Sequence, residues 1–209
     1  MKILHIYPRF PDTFWSFKHA LSFIRKNASN PPLGLVTVAA MLPPEWDQKL
    51  VDVNVQNLSG TDLDWADYVF ISAMTVQRES AAEIIRRCKS SGTPVVAGGP
   101  LFTAESDTFP SVDYLVLNEA EITIAPFLKD LGSGNLKRVY ASKEHPSLAS
   151  TPVPRWDLLD LNSYASISIQ FSRGCPYDCE FCNVTALLGH RPRTKSSQQI
   201  LAELDSLYS

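Results

Sequence analysis

Tyr68-Val69-Phe70-Ile71-Ser72, the segment Gln77–Ser90 and Pro94-Val95-Val96-Ala97-Gly98-Gly99-Pro100 read in turn as strand, helix and strand. The first and last are apolar runs of strand length. Between them, apolar residues recur at Ala81, Ile84, Ile85 and Cys88, a period near 3.6 that predicts a helix. That order is the signature of a parallel sheet with crossover helices.

The pattern extends both ways. Lys2–Tyr7 reads as the first strand, followed by a Pro- and aromatic-rich loop from Pro8 to Asn30. Pro31-Pro32 opens a helix through Met41, because proline suits a first turn whose N–H groups lack partners anyway. Lys49–Val55 is a strand, Asp62–Ala66 a helical turn, Tyr114–Leu117 a strand and Ile122–Leu131 its helix. Five strands and about four helices predict a doubly wound α/β domain. Gly132-Ser133-Gly134-Asn135 is a turn signal and Val139-Tyr140 a short extra strand. The first domain is assigned residues 1–141, and a Ser/Pro-rich linker residues 142–162.

Residues 163–209 read as strand (Ile167–Ser172), loop, and helix (Ser197–Leu207). Ser196 or Ser197 is the N-cap, and Ile200, Leu201, Leu204 and Leu207 form an apolar stripe. One strand–helix unit cannot bury its own apolar face. It is expected to dock on the first domain, to pair with another chain, or to be the start of a truncated domain, and the last reading is favoured.

The loop of that unit carries the chemistry. Arg173-Gly174-Cys175-Pro176-Tyr177-Asp178-Cys179-Glu180-Phe181-Cys182 spaces three thiols as Cys-x3-Cys-x2-Cys. Three thiolates can hold three irons of a cubane cluster and leave the fourth open to a substrate. Zinc is the competing reading, but it wants four ligands, commonly in Cys-x2-Cys pairs. Here the next candidate, His190, lies eight residues past Cys182. Arg191, Arg193 and Lys195 read as a solvated basic edge. Cys88 reads as a small buried hydrophobe on its helix.

Composition sets the bounds. The chain has 209 residues, 44% hydrophobic and 20% charged, with net charge −3, an ordinary globular balance that suggests no nucleic-acid partner. No apolar run has membrane-spanning length. The N-terminus reads as a strand and not a signal peptide, so four cysteines favour a reducing cytoplasm and a metal site over a disulfide framework.

Following a strand and preceding a helix, the cysteine motif with Phe181 before Cys182 resembles the signature of the radical S-adenosylmethionine (SAM) enzymes. That resemblance implies a [4Fe-4S] cluster on Cys175, Cys179 and Cys182, with SAM on the open iron and Phe181 beside its adenine. It implies cleavage of SAM to a 5′-deoxyadenosyl radical, and an electron donor such as flavodoxin or ferredoxin. The second unit would then be the start of a radical SAM (β/α) partial barrel.

The first domain, with Tyr7-Pro8-Arg9-Phe10-Pro11-Asp12-Thr13-Phe14-Trp15-Ser16, Pro31-Pro32-Leu33-Gly34-Leu35 and Thr151-Pro152-Val153-Pro154-Arg155-Trp156-Asp157, resembles the cobalamin-binding radical SAM proteins of the DUF4070-type subgroup. Hopanoid methylases belong to that broad set. The resemblance implies a Rossmann-like cobalamin-binding domain and methylation of an unactivated carbon on a small-molecule or lipid-like substrate. In such a fold ligands bind at the carboxyl ends of the strands. That places Ser72, Thr75, Gly98 and Gly99 as cobalamin-binding candidates, with Tyr7–Ser16 and Asn118-Glu119-Ala120-Glu121 nearby. Glu119 and Glu121 could instead face solvent or cap the next helix.

The cobalt-ligating Asp-x-His-x-x-Gly motif is absent; His5 reads as structural and His145 as a linker residue. The alternatives are a first domain that recognises substrate without cobalamin, and a non-catalytic iron–sulfur or zinc binding module. The chain by itself is expected not to cleave SAM.

Overall fold

The computed structural model describes residues 1–13 and 16–208. Phe14 and Trp15, in the quoted Tyr7–Ser16 phrase, and the terminal Ser209 lie outside the described residues. One parallel sheet contains β1 (Lys2–Tyr7), β2 (Asp47–Asp52), β3 (Tyr68–Ser72), β4 (Val95–Gly98), β5 (Tyr114–Val116) and β6 (Val139–Tyr140). Its six strands run in the order β2-β1-β3-β4-β5-β6, each neighbouring pair parallel. The sixth strand is the Val139-Tyr140 pair, which is short enough to read ambiguously and is fixed by pairing with β5. β2 starts and stops earlier than its apolar run suggests. It runs in register with β1 from Lys2–Asp47 to Tyr7–Asp52, and the chain then turns over Asp52.

Alternation along the strands divides two cores. Leu4, Ile6, Val69, Ile71, Val95 and Ala97 face α3 (Gly60–Trp65), α4 (Arg78–Ser91) and α5 (Pro100–Glu105). Ile3, Phe70, Val96 and Val116 face the other way, toward α2 (Leu33–Ala40) and α6 (Ala120–Ser133). Helices on both faces make this a doubly wound, Rossmann-like α/β domain. A short α1 (Lys18–Phe23) lies in the loop before α2. Cys88 is fully buried on α4, where burial pushes its thiol up to about 11.

Gly98-Gly99-Pro100 does more than end a strand. Gly99, at φ +86°, precedes Pro100 at the first position of α5, a helix the sequence reading does not contain. Pro100 pre-sets the helical φ, and α5 then buries Leu101 and Phe102.

The second unit departs further. Ile167–Ser172 does not form a strand. Only β7 (Ser172–Arg173) pairs, antiparallel, with β8 (Arg193–Thr194), and the described residues offer the rest no parallel neighbour. The segment before it instead runs beside residues 28–30, with Ala165 and Ser166 amides donating to Ala28 and Ser29 carbonyls. A short α7 (Val184–Leu188) and then α8 (Ser197–Tyr208) complete the chain. Ser196 caps α8: its hydroxyl accepts from the Gln199 amide at 3.2 Å while Gln199 returns to the Ser196 amide at 3.0 Å.

The α8 stripe is only partly the buried face, through Leu207 on the Leu35 and Trp156 cluster. Leu201 is 58% exposed and Leu204 exposed, while Glu203 is buried against Lys195. The helix is turned by that ion pair and by Gln199, which donates to the Leu148 carbonyl at 2.8 Å.

Residues 142–162 lie on the first unit. Trp156 packs with Leu35, Val36 and Leu50, and the Arg155 amide donates to the Val36 carbonyl. Just beyond, the Tyr164 hydroxyl donates to buried Asp52 at 2.9 Å. Among the described residues no helix is long and apolar enough to cross a membrane.

Candidate functional site

The carboxyl ends of β1, β3, β4 and β5 open onto a crevice of about 400 Å³ on the α2 and α6 side of the sheet. Its floor is apolar, with Tyr7, Met41, Phe70, Val96 and Ile124; its rim is polar, with Ser72, Asn118, Glu119, Glu121, Gln170 and Arg173. An apolar floor with a few converging polar groups suits a flat or nucleotide-bearing ligand.

Ser72, Gly98 and Gly99 all line this crevice, but Thr75 does not. Thr75 lies in a single helical turn (Thr75–Gln77) and lines a separate cleft with Arg9, Arg78 and Arg87 on the α4 side. The two glycines also answer to packing. A Cβ on Gly98 would sit 2.5 Å from the Val116 carbonyl oxygen, and one on Gly99 2.6 Å from Ser72 Oγ. The space a side chain would take is filled by the neighbouring strand ends.

The crevice is bounded by a cluster of charged side chains. Glu119 and Glu121, at the start of α6, are only 3% and 2% exposed. Arg193 forks onto Glu119, Nη1 donating to Oε2 at 2.9 Å and Nη2 to Oε1 at 2.8 Å. Arg173 Nη1 donates to Glu119 Oε2 at 3.0 Å and to Glu121 Oε2 at 2.9 Å. His145 Nδ1, facing a carboxylate, donates to Glu119 Oε1 at 2.9 Å, and the Thr151 hydroxyl donates to Glu121 at 2.7 Å.

Burial alone would raise both carboxyls. The hydrogen bonds from Arg193, His145 and Arg173 outweigh it at Glu119, and those from Arg173 and Thr151 at Glu121, so both are held below the usual carboxylate range. Burial opposes the charge on Arg173 in turn, and Glu121 and Glu119 raise it above the ordinary guanidinium value.

Three expectations are therefore corrected. Glu119 and Glu121 do not face solvent; Arg193 and Lys195 are not a solvated edge; His145 is a partner of Glu119 and not a plain linker residue. The available signal was two carboxylates just after a strand and arginines on both sides of the cysteines. Their pairing depends on chain crossings that local reading does not see.

The cysteine loop spans β7 and β8. Cys175 and Cys182 are half-buried and Cys179 exposed, and none forms a disulfide. The Cys175 amide donates to the Gly189 carbonyl at 3.1 Å and the Cys182 amide to the Cys179 carbonyl at 3.0 Å. Phe181 is 91% exposed, and His190 approaches Asp178 at 3.5 Å. Among the described residues no group of three or more His, Cys, Asp or Glu side chains is gathered as a metal site. The donor set nonetheless fits an iron–sulfur cluster: three free, accessible thiols on one loop, with the soft ligand chemistry such clusters take. Assembly would have to draw the thiols together, as metal binding does where no site is preformed.

No histidine lines the crevice among the described residues, so a corrinoid held there would have no protein imidazole on cobalt. His5 is fully buried inside β1. Its Nε2 donates to Gln48 at 2.8 Å, its ring lies tilted against Phe70, and burial pushes its pKa down to about 4.

Sheet order, crevice and rim define a doubly wound domain built to receive a ligand at the carboxyl edge of its sheet. Comparison with known families adds to this: residues 27–128 match the B12 binding domain. Among curated relatives, an uncharacterized methyltransferase of Synechocystis sp. is 47% identical over all of this chain and 39% of its own length. The hopanoid C-2 methylase of Rhodopseudomonas palustris is 36% identical over 99% of the chain and 40% of its own length. The bacteriochlorophyllide d C-8(2)-methyltransferase of Chlorobaculum tepidum is 27% identical over 83% of the chain and 40% of its own length. The chain thus spans about two fifths of these relatives.

Proposed function

We propose that this chain is the cobalamin-binding and cluster-bearing part of a radical SAM methyltransferase acting on an unactivated carbon of a small-molecule or lipid-like substrate. The observation that carries the reading is that the three-cysteine loop closes one side of the crevice. Arg173, two residues before Cys175, and Leu188, on α7 within the same loop, both line it together with Gly98 and Gly99.

Cys175, Cys179 and Cys182 would hold a [4Fe-4S] cluster, with Phe181 against the adenine of SAM. Ser72, Gly98 and Gly99 would border the cobalamin, while Thr75 would reach only a part of it lying outside the crevice. Bound there, cluster and SAM supply carbon-radical chemistry and cobalamin supplies a transferable methyl group. The chain's own residues hold the geometry: Glu119 and Glu121 keep Arg173 at the crevice mouth, and Phe70, Val96 and Ile124 keep water off the floor. We place the first unit at residues 1–141, the strap at 142–162 and the cluster-bearing unit at 163–209. The setting is the cytoplasm, where free thiols stay reduced, with flavodoxin or ferredoxin as electron donor.

The test is anaerobic reconstitution with iron and sulfide, then addition of hydroxocobalamin and desalting. Retained iron, sulfide and red corrinoid are expected, and the full-length protein should cleave SAM reductively to 5′-deoxyadenosine. Full-length protein that binds a cluster yet never yields 5′-deoxyadenosine would sink the enzyme reading. A second reading, a crevice that recognises substrate without cobalamin, is favoured by the missing histidine. A cluster-loaded protein that desalts without red colour would select it.

A further inference from the structure

Arg173 and Arg193 occupy directly opposite positions on the two strands that close the cysteine loop. Like charges so placed destabilise a two-stranded pair, and a pair of two-residue strands has little else to hold it. Both guanidinium groups converge on Glu119. The stem is therefore held by a carboxylate that belongs to the rim of the crevice.

Two routes lead from Glu119 to the first thiol. One runs through Arg173 and the backbone of Gly174 to Cys175. Gly174, at φ +89°, has no room for a side chain, with the Arg191 carbonyl oxygen 2.5 Å from where a Cβ would lie. The other runs through His145, whose ring packs on Gly189; a Cβ there would lie 2.7 Å from His145 Nε2. The Gly189 carbonyl accepts the Cys175 amide at 3.1 Å. Arg193 also donates to the Pro146 and Leu188 carbonyls, so loop and strap share the same fastening.

We propose that Glu119 is a positioning residue that couples the two cofactor sites, so that filling the crevice and assembling the cluster favour one another. The proposal rests on the cobalamin and cluster reading above. A ligand in the crevice touches Glu119, Glu121 and Arg173 and restricts the stem; a cluster on the three thiols restricts the same stem from its other end. By linkage, each event must tighten the other by the same factor.

Hydroxocobalamin affinity of the protein, measured by equilibrium dialysis before and after anaerobic iron–sulfide reconstitution, tests this. Wild type is expected to bind about tenfold more tightly when cluster-loaded, within the usual range for such coupling. Glu119→Gln, which keeps shape but loses charge, is expected to bring that ratio close to one, and Arg193→Lys to leave an intermediate ratio. Amide exchange of residues 171–195 without cobalamin should be several-fold faster in Glu119→Gln, while exchange of the central strands stays unchanged.

Equal wild-type affinity with and without cluster would overturn the proposal and leave the cobalamin reading standing. A full wild-type ratio in Glu119→Gln would do the same. Absence of binding by either wild-type form would sink the cobalamin reading and this proposal with it. If Glu119→Gln proves too unstable to handle, the Arg193→Lys ratio decides, and a wild-type value there counts against the coupling.

Discussion

Lys195 and Glu203 form an ion pair with side chains only 2% and 1% exposed, on the inner side of a helix whose Leu201 and Leu204 point outward. Removing one partner strands the other charge in the interior. Lys195→Met should cost about 3–5 kcal/mol, the usual consequence of breaking a buried pair, while Lys195→Met with Glu203→Leu should recover most of it. Urea midpoints at unchanged m-value would show both. A loss under about 1 kcal/mol for the single variant would mean the pair is open to water.

Glycines at the crevice and in the helix beside it should respond with opposite signs. Gly98→Ala drives a Cβ into the Val116 carbonyl oxygen and Gly99→Ala adds a residue at φ +86°, so each is expected to lose at least about 1–3 kcal/mol. Gly132, near the end of α6, has nothing within 4 Å of a new Cβ, and Gly132→Ala should gain about 0.4–1 kcal/mol. Thermal midpoints of the three variants suffice to check the order.

Acid should weaken the protein in two windows. His5 titrates near 4 in the fold and near 6.5 unfolded, so the unfolded chain takes up a proton that the native state refuses. Stability therefore falls as pH drops from 6.5 to 4, by about 3 kcal/mol in all from this group. Glu119 and Glu121 act lower, from about pH 4.5 downward. Their folded values are depressed, so their contribution is present above pH 4.5 and is lost as pH falls through those values. His5→Leu should flatten the upper window and leave the lower one, as read from urea midpoints at about pH 7, 5.5, 4 and 3.

The four cysteines should divide sharply on reconstitution. Cys175→Ser, Cys179→Ser or Cys182→Ser should each lose most of the roughly four irons of a cubane cluster. Cys88→Ser should keep them, because Cys88 is buried on α4 in the other unit. Iron and sulfide assays decide it, and full iron retention in all three loop variants would refute ligation by these thiols.

The parts of this fold that were legible in the sequence are those set by local period. β1, β3 and α4 follow from apolar spacing, and the crevice position follows from the order of strands and helices. What local reading missed depends on partners far along the chain. Val139-Tyr140 was read as a short strand, but that it joins the sheet beside Leu115 and Val116 was not legible. Ile167–Ser172 alternates like a strand but has no parallel neighbour among the described residues. The α8 stripe holds only in part: Leu207 packs inward, but a buried ion pair takes the inner face in place of Leu201 and Leu204. At the site, Ser72, Gly98 and Gly99 were placed by topology, whereas Glu119, Arg173 and Arg193 form a cluster across 74 residues of sequence separation. Short-range patterns carry no trace of such a meeting.

The all-parallel order of the sheet also governs how the protein comes into being. Ile3 finds its inner neighbour in Tyr68, and no strand pairs with the next by a tight turn. On a ribosome, Leu4 and Ile6 must wait several seconds, at ordinary elongation rates, before β3 has emerged to cover them. Sheets assembled from such distant pairings close late. The nascent first strand thus stays apolar and unpaired on that side until β3 arrives.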